Sequence, residues 1–348
     1  MPGSQTIEGV PTSTAAFLGE TEKGSLTPRL VTSYAEYRRW FGGVFAPKKY
    51  LPHTISGFFE NGGKRAHVCR ILGEDYEEGL AALEDESCRE VSLVYAPNAS
   101  AEIAKAVIAH CEKTRYRFAV IDCEEGQSNA SQLNPRGSIG DSSYGAFYYP
   151  WIFAAEPGTG TRTLTPPGGH VLGMYARTDN ERGVFKAPAN EVVRGALGVE
   201  FNITDPIQDV LNPQGVNVIR SFPARGVRVW GSRTLGTGNE WKYVNIRRLI
   251  IYLEHSIEAG MQWAAFEPND SRLWARVVGQ IANFLRMQWR AGALQGRTEQ
   301  EAFFVKCDLT TMSQDDILNG RLTCEVGVAP VKPAEFVIFR ICQRTASP

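Results

Sequence analysis

What this chain lacks closes off whole classes of function. No stretch approaches the roughly 18 consecutive apolar residues of a membrane-spanning helix. There is no charge excess. The 348 residues carry 37 Lys+Arg against 38 Asp+Glu, a formal charge of −1, so nothing pulls the whole chain toward nucleic acid or an anionic bilayer. No Cys-x-x-Cys occurs, and the seven cysteines, at 69, 88, 111, 123, 307, 324 and 342, are odd in number and widely spaced. Reduced thiols in a cytosolic compartment of synthesis are expected rather than a disulfide framework. The opening MPGSQTIEGV lacks the basic-then-apolar order of a secretory leader.

The vocabulary of catalysis is thin as well. No Gly-x-Ser-x-Gly occurs, and GDSSYG (140–145) is only a near miss. His53, His67, His110, His170 and His255 are scattered, none in a catalytic context. PNASAE follows the segment 89–97, with neither a dinucleotide fingerprint nor a Walker pattern, and GTGTRT (158–163) has no strand in register before it. His67 and Cys69 share a strand face and His110 adjoins Cys111, but neither pair has the remaining ligands of a tetrahedral site. Asp315-Asp316 lacks the glycine and glutamate of a calcium loop. The run EDYEEGLAALEDE (74–86) reads as a solvated helix face. No metal and no cofactor is expected. If an α/β hydrolase-like site exists, Asn98 and Asp122, at the carboxyl ends of strands, are its candidates, with one of the histidines.

What is present is an ordinary globular composition, 43% apolar and 22% charged, long enough for one large or two medium domains. STAAFLG (13–19) reads as a buried strand. TSYAEYRRWFG (32–42) reads as a helix with Thr32 or Ser33 as cap and Gly42 as stop, and YLPHTISGFFENGG (50–63) as a second helix ended by Asn-Gly-Gly. KRAHVCRIL (64–72) is a strand. REVSLVYAP (89–97), SAEIAKAVIAHCEKTR (100–115) and RFAVIDC (117–123) form a strand-helix-strand unit, which implies a parallel pair. GAFYYPWIFA (145–154) reads as one strand and EPGTGTRTLTPPGGH (156–170) as an exposed loop before a helix near Pro167.

Beyond Asp205 the texture changes. QGVNVIRSFPARGVRVWGSRTL (214–235) reads as two strands around a Pro-Ala-Arg-Gly turn. Two long helices follow within 244–266 and 271–294, the second offering Leu273, Val277, Ile281, Phe284, Leu285 and Met287 to a core. Residues 302–308 and 320–330 read as strands. This half is mildly basic, with 17 Lys+Arg against 12 Asp+Glu over 216–348, and 20 against 26 over 1–215. Trp230 and Trp289 stand beside Arg228 and Arg290, a composition that suits protein interfaces.

The last strand poses a question of pairing. From Glu335 the chain reads Phe336, Val337, Ile338, Phe339, Arg340, Ile341, with apolar residues on both faces and nothing after it to pair with. A loose strand of this kind is an aggregation hazard unless it has a designated partner.

Long blocks in order carry a resemblance. They are IEGVPTSTAAFLGETEKG (7–24), LVTSYAEYRRWFGG (30–43), YLPHTISGFFENGGKRAHVCRI (50–71), NVIRSFPARGVRVWGSRTL (217–235), residues 240–277, WRAGALQGRTEQEAFFVKCD (289–308) and NGRLTCEVGVAPVKPAEFVIFRI (319–341). With these the chain resembles the tail sheath proteins of contractile phage tails and injection systems. The resemblance implies an α/β fold: an N-terminal subtilisin-like α/β sheath domain without a working triad, plus a C-terminal α+β sheath domain with extended terminal arms. The implied division is a short N-terminal arm at 1–12, an α/β domain at 13–213, an inner, tube-facing C-terminal domain at 214–332 and a C-terminal arm at 333–348.

Several roles follow from the resemblance. Subunits would stack as hexameric rings around an inner tube, shorten on a baseplate trigger and end at a terminator or cap protein. The chain would be assembled in the bacterial cytoplasm as part of a particle that can be released, with no nucleic acid, membrane insertion or chemical reaction involved. Glu335–Ile341 would be the arm that adds a strand to a neighbour, on the Pro-flanked linker VAPVKPAEF, and Thr6, Ile7 and Glu8 a shortened N-terminal arm. Glu267, Asn269, Asp270 and Arg272, in the polar FEPNDSR break, would be tube contacts. Two other readings stay open: the hydrolase-like enzyme and a static capsid- or tube-like assembly protein.

Overall fold

The computed structural model describes residues 6–73 and 75–335. The chain begins with β1 (Ala15–Gly19) and β2 (Arg29–Val31), then α1 (Tyr34–Phe41) and α2 (Leu51–Glu60). Ser33 caps α1 by accepting the Glu36 amide, and the helix stops at Gly42. β3 (Ala66–Arg70), α3 (Tyr76–Ala82), β4 (Leu93–Tyr95), α4 (Ala101–Thr114) and β5 (Phe118–Asp122) follow. Next come α5 (Pro135–Ser138), β6 (Gly145–Tyr149), β7 (Ile152–Ala155), β8 (Arg162–Thr165) and α6 (Gly168–Arg182). Then β9 (Glu191–Val192), β10 (Ala196–Val199), α7 (Asp205–Leu211), β11 (Val216–Phe222) and β12 (Gly226–Val229). The described chain closes with α8 (Val244–Gly260), α9 (Ser271–Arg290), α10 (Glu299–Ala302), β13 (Phe303–Lys306), α11 (Gln314–Leu318) and β14 (Glu325–Val328).

A nine-stranded sheet, ordered β2-β3-β1-β4-β5-β6-β11-β12-β9, organises most of these elements. From β3 to β11 all neighbours are parallel, and the expected β4-α4-β5 unit is among them. The margins, β2 on one side and β12 with β9 on the other, are antiparallel. Strand alternation feeds two cores. Ala15 and Phe17 point to one face and Ala16 and Leu18 to the other; Phe118 and Val120 oppose Ala119 and Ile121 in the same way. One face is covered by α1, α2, α6 and part of α8, the other by α3, α4 and α7. With both faces covered, the central strands are apolar throughout. Gly169 and Gly173, one helical turn apart on α6, meet the backbone of α2 so closely that a Cβ at either would collide with it.

A third core holds the C-terminal layer. Leu273, Val277, Ile281, Phe284 and Leu285 of α9 pack there with Leu249 and Leu253 of α8 and with Phe303. Because α8 also gives Val244 and Ile251 to the sheet core, it joins the two layers.

The structure corrects several expectations. GAFYYPWIFA is two strands, broken at Tyr149-Pro150, where proline has no N–H to extend the ladder. β7 leaves the central sheet and forms a separate three-stranded sheet with β8 and β10. Residues 162–165 are therefore strand and not loop. Strands β11 and β12 lie after residue 214, where the second domain was expected to start, yet β11 pairs parallel with β6 and both belong to the central sheet. Met287 is 45% exposed, because it sits about 90° around α9 from the centre of the buried stripe.

Candidate functional site

The residues proposed for chemistry are occupied otherwise. Asp122 is buried at the end of β5, accepting from Tyr95 Oη (2.5 Å), the Gly168 amide (2.8 Å) and the Asn98 amide (3.4 Å). Burial pushes its carboxyl up to about 7 despite those donors. It ties β5 to β4 and to the start of α6. Asn98 adopts a left-handed backbone (φ 51°) beside a crevice where the strand order reverses between β1 and β4, and Lys49 there is paired with Glu20. In GDSSYG, Ser142 donates to Glu112 Oε1 (2.6 Å) and Ser143 accepts from Arg247 (3.0 Å). The arrangement nearest to a triad is one that sequence spacing did not suggest. His67 stands 3.6 Å from Cys88 Sγ and 3.0 Å from Glu90. The Cys88 thiol is fully buried and pushed up by burial, whereas a nucleophile needs access and a lowered pKa. Among the described residues no group of three or more His, Cys, Asp or Glu could hold a metal ion.

The C-terminal end offers a different kind of site. β13 and β14 pair antiparallel, Phe303 opposite Val328 and Lys306 opposite Glu325. Among the described residues they pair only with each other. Phe303 turns inward, while Phe304 is 56% and Val326 38% exposed. The Phe304 ring lies across Gly327, where a side chain would collide with it. A two-stranded sheet with open edges and exposed apolar residues is an incomplete structure.

From β14 the chain runs on along its own subunit. Ala329 bonds Ala302 and Gln295, and the Val331 amide donates to Ala293 O (3.2 Å). The VAPVKPAEF segment, expected as the extended linker of the arm, is docked on its own subunit as far as Val331. It ends in a clamp. Glu335 accepts two bonds from Arg233 (Nε 2.6 Å, Nη2 2.8 Å), one from Asn212 Nδ2 (2.9 Å) and one from Tyr243 Oη (3.0 Å). Burial alone would raise its carboxyl, but these partners hold it at about 2. Phe336, Val337, Ile338, Phe339, Arg340 and Ile341 lie outside the described residues.

The other expected contacts are placed as follows. Thr6 and Glu8 are exposed, but Ile7 is 3% exposed, in the third core, against Gly260 of α8. The Val10 amide donates to Ser256 Oγ (3.1 Å) and Thr12 to Asp179 (2.7 Å), so the stretch lies on its own subunit. In FEPNDSR, Asp270 caps α9 by accepting the Arg272 and Leu273 amides. Asn269 bonds Trp274 and Arg321, Glu267 pairs with Arg276 (3.5 Å), and Arg272 is exposed. Arg228 bonds Asn190 O and Arg225 rather than stacking on Trp230.

Comparison with known proteins fits this geometry. Residues 70–235 match the central domain of phage tail sheath proteins and residues 237–344 the phage tail sheath C-terminal domain. The chain is 30% identical to a chain of the PVC sheath complex of an extracellular contractile injection system in its contracted state, covering 99% of this chain and 96% of that one with a TM-score of 0.86. It is 31% identical to a chain of the anti-feeding prophage helical sheath in its contracted state, covering 98% and 96% with a TM-score of 0.86. A putative prophage major tail sheath protein of Pseudomonas aeruginosa is 26% identical over 76% of this chain and 68% of its own length. The chain spans between 40% and 68% of the curated relatives it matches. With family domains matched over residues 70–235 and 237–344, the chain belongs to the phage tail sheath protein family.

Proposed function

We propose that this chain is the subunit of a contractile sheath. It forms six-fold rings around an inner tube, and each subunit, held at Glu335 on its own chain, donates residues 336–341 as a strand to the β13–β14 hairpin of a neighbour. The observation that carries this is the pairing of two incomplete features: a hairpin with exposed Phe304 and Val326, and an apolar segment that begins where the clamp at Glu335 ends. Strand addition completes both through backbone hydrogen bonds. Such a link survives rigid-body rotation of subunits, so the sheath shortens and widens without coming apart.

The tube-facing surface in this reading is the outer side of α9. Arg272, Arg276, Arg286 and Arg290 recur there at helical spacing, Arg272 and Arg276 next to the FEPNDSR turn. Arg276 pairs with Glu267 and Arg286 with Glu299, which leaves Arg272 and Arg290 for an acidic tube. The baseplate and a terminator or cap bound the two ends of the sheath. Assembly takes place in the bacterial cytoplasm, and no helix among the described residues is long and apolar enough to cross a membrane.

Electron microscopy of the expressed chain tests this reading. Tubes with a measurable helical rise, which shorten and widen when triggered, are expected. A soluble monomer at high concentration, without tubes, overturns it.

A further inference from the structure

The C-terminal linker touches its own subunit at two separate places. Up to Val331 it follows the hairpin side, through the bonds to Ala302, Gln295 and Ala293. Lys332, Pro333 and Ala334 then wall a groove of about 660 Å³ and, among the described residues, make no backbone hydrogen bond there. The second attachment is the carboxylate of Glu335.

Its main partner is tied to the central sheet through Asn217 of β11. Arg233 is 8% exposed. Its amide donates to Asn217 Oδ1 (2.6 Å), and Asn217 Nδ2 donates to Arg233 O (2.7 Å). Asn217 is fully buried on β11. The third nitrogen of the guanidinium donates to Asn212 O (3.1 Å), so Arg233 holds its orientation with or without the glutamate. A guanidinium fixed by its backbone, presenting a two-pronged face, is the strongest side-chain grip available for a carboxylate.

We propose that the Arg233–Glu335 clamp is the anchor of the exchanged arm: it sets the residue at which the arm becomes free, and it passes tension from the arm into strand β11. This rests on the strand-exchange reading above. With the clamp closed, the free arm starts at residue 336. With it open, the arm starts at 332 and gains four residues, about 13 Å of reach. A pull on the closed clamp crosses two charge-assisted bonds and reaches the broad sheet. A pull on the open one falls on the Ala293–Gln295 contact and the hairpin, where Phe304 and Val326 are exposed. Glu335 is therefore a positioning residue for strand exchange. Its partners Asn212 and Tyr243 keep the carboxylate aligned when the subunit turns.

The test compares Glu335→Ala and Glu335→Gln with Lys332→Ala, a linker change outside the clamp. Two readouts are taken: the Tm of the dispersed subunit, and the lifetime of assembled sheaths under shear or moderate urea, with subunit pitch from electron microscopy. The clamp variants should lower the Tm of the dispersed subunit modestly, because Arg233 loses its carboxylate partner, while their sheaths break about tenfold faster, more than that Tm change accounts for, and show a broadened pitch; Lys332→Ala should behave as wild type. Loss of assembly by a subunit whose Tm falls only modestly is a stronger form of the same result. Sheaths of wild-type lifetime and pitch from Glu335→Ala overturn the anchor, and so does a fall in Tm of the dispersed subunit that accounts for the loss. Failure of the wild-type chain to form sheaths at all refutes the sheath reading instead.

Discussion

The central sheet and the β13–β14 hairpin are both made of short apolar strands, yet one is finished and the other is not. In the sheet, every residue of β1, β5 and β6 is buried, both faces carry helices, and the margins are antiparallel strands. In the hairpin, Phe304 and Val326 stay exposed, and among the described residues neither outer edge has a partner strand. The difference teaches where stability resides and where assembly does. A covered sheet holds one subunit together. In the strand-exchange reading proposed above, the exposed hairpin is kept for contact with another subunit.

The largest expected effect breaks the hairpin side of this comparison. Deleting residues 336–348 should leave a folded subunit, clamp included, that forms no sheaths in electron micrographs; long sheaths from the truncated chain would refute strand donation. Phe304→Asp should abolish sheaths in the same way while the Tm of the subunit barely moves, since an exposed site is changed. Replacing Ile338 and Phe339 by Asp should match it, because both charges would enter a neighbour's sheet.

On the sheet side the sign of the effect reverses. Phe17→Ala, in the middle of β1, should cost the isolated subunit about 3–5 kcal/mol by urea unfolding. Ile7→Ala sharpens the boundary between the two regions. With Ile7 in its own third core, the change should cost about 2 kcal/mol in the dispersed subunit. A dispersed subunit of unchanged stability would return that segment to an inter-subunit role.

The smallest effect is a pH slope from the buried histidines. Burial, aided by Arg117, lowers His110 to about 4, and burial with His53 nearby lowers His170 to about 4. The unfolded chain binds protons on both near 6.5 while the folded one does not, so stability falls as pH drops from about 6.5 to 4. Asp122 acts in the opposite sense. Its carboxyl, at about 7 in the fold against an ordinary 3.8, holds a proton that the unfolded chain has lost, so it favours folding as pH falls over about 7 to 4. Two imidazoles outweigh one carboxyl, and the urea midpoint of the dispersed subunit should fall between pH 6.5 and 4.5. His170→Gln should flatten that slope; a midpoint that rises on acidification contradicts the assignment. Glu335, held at about 2, stays charged throughout this window, so the clamp itself survives mild acid.

Much of the architecture was legible from neighbouring residues alone. A Thr32 or Ser33 cap for α1, of which Ser33 does the capping, the β4-α4-β5 unit, the Pro-Ala-Arg-Gly turn between β11 and β12, and the buried stripe of α9 all follow from interactions within a turn or a strand alternation. The order of long sequence blocks identified the family for the same reason, because it needs no knowledge of folding. What only the tertiary structure decided are contacts between distant segments. Arg233 grips Glu335 across 102 positions, Ile7 closes a core built from α8 and α9, and β7 leaves the sheet that β6 stays in. Periodicity reports which face of a segment is apolar, but not which other segment will cover it. That choice is made when the fold brings the chain's last described residues beside Arg233 and β11, and when α8 and α9 pack so as to enclose Ile7.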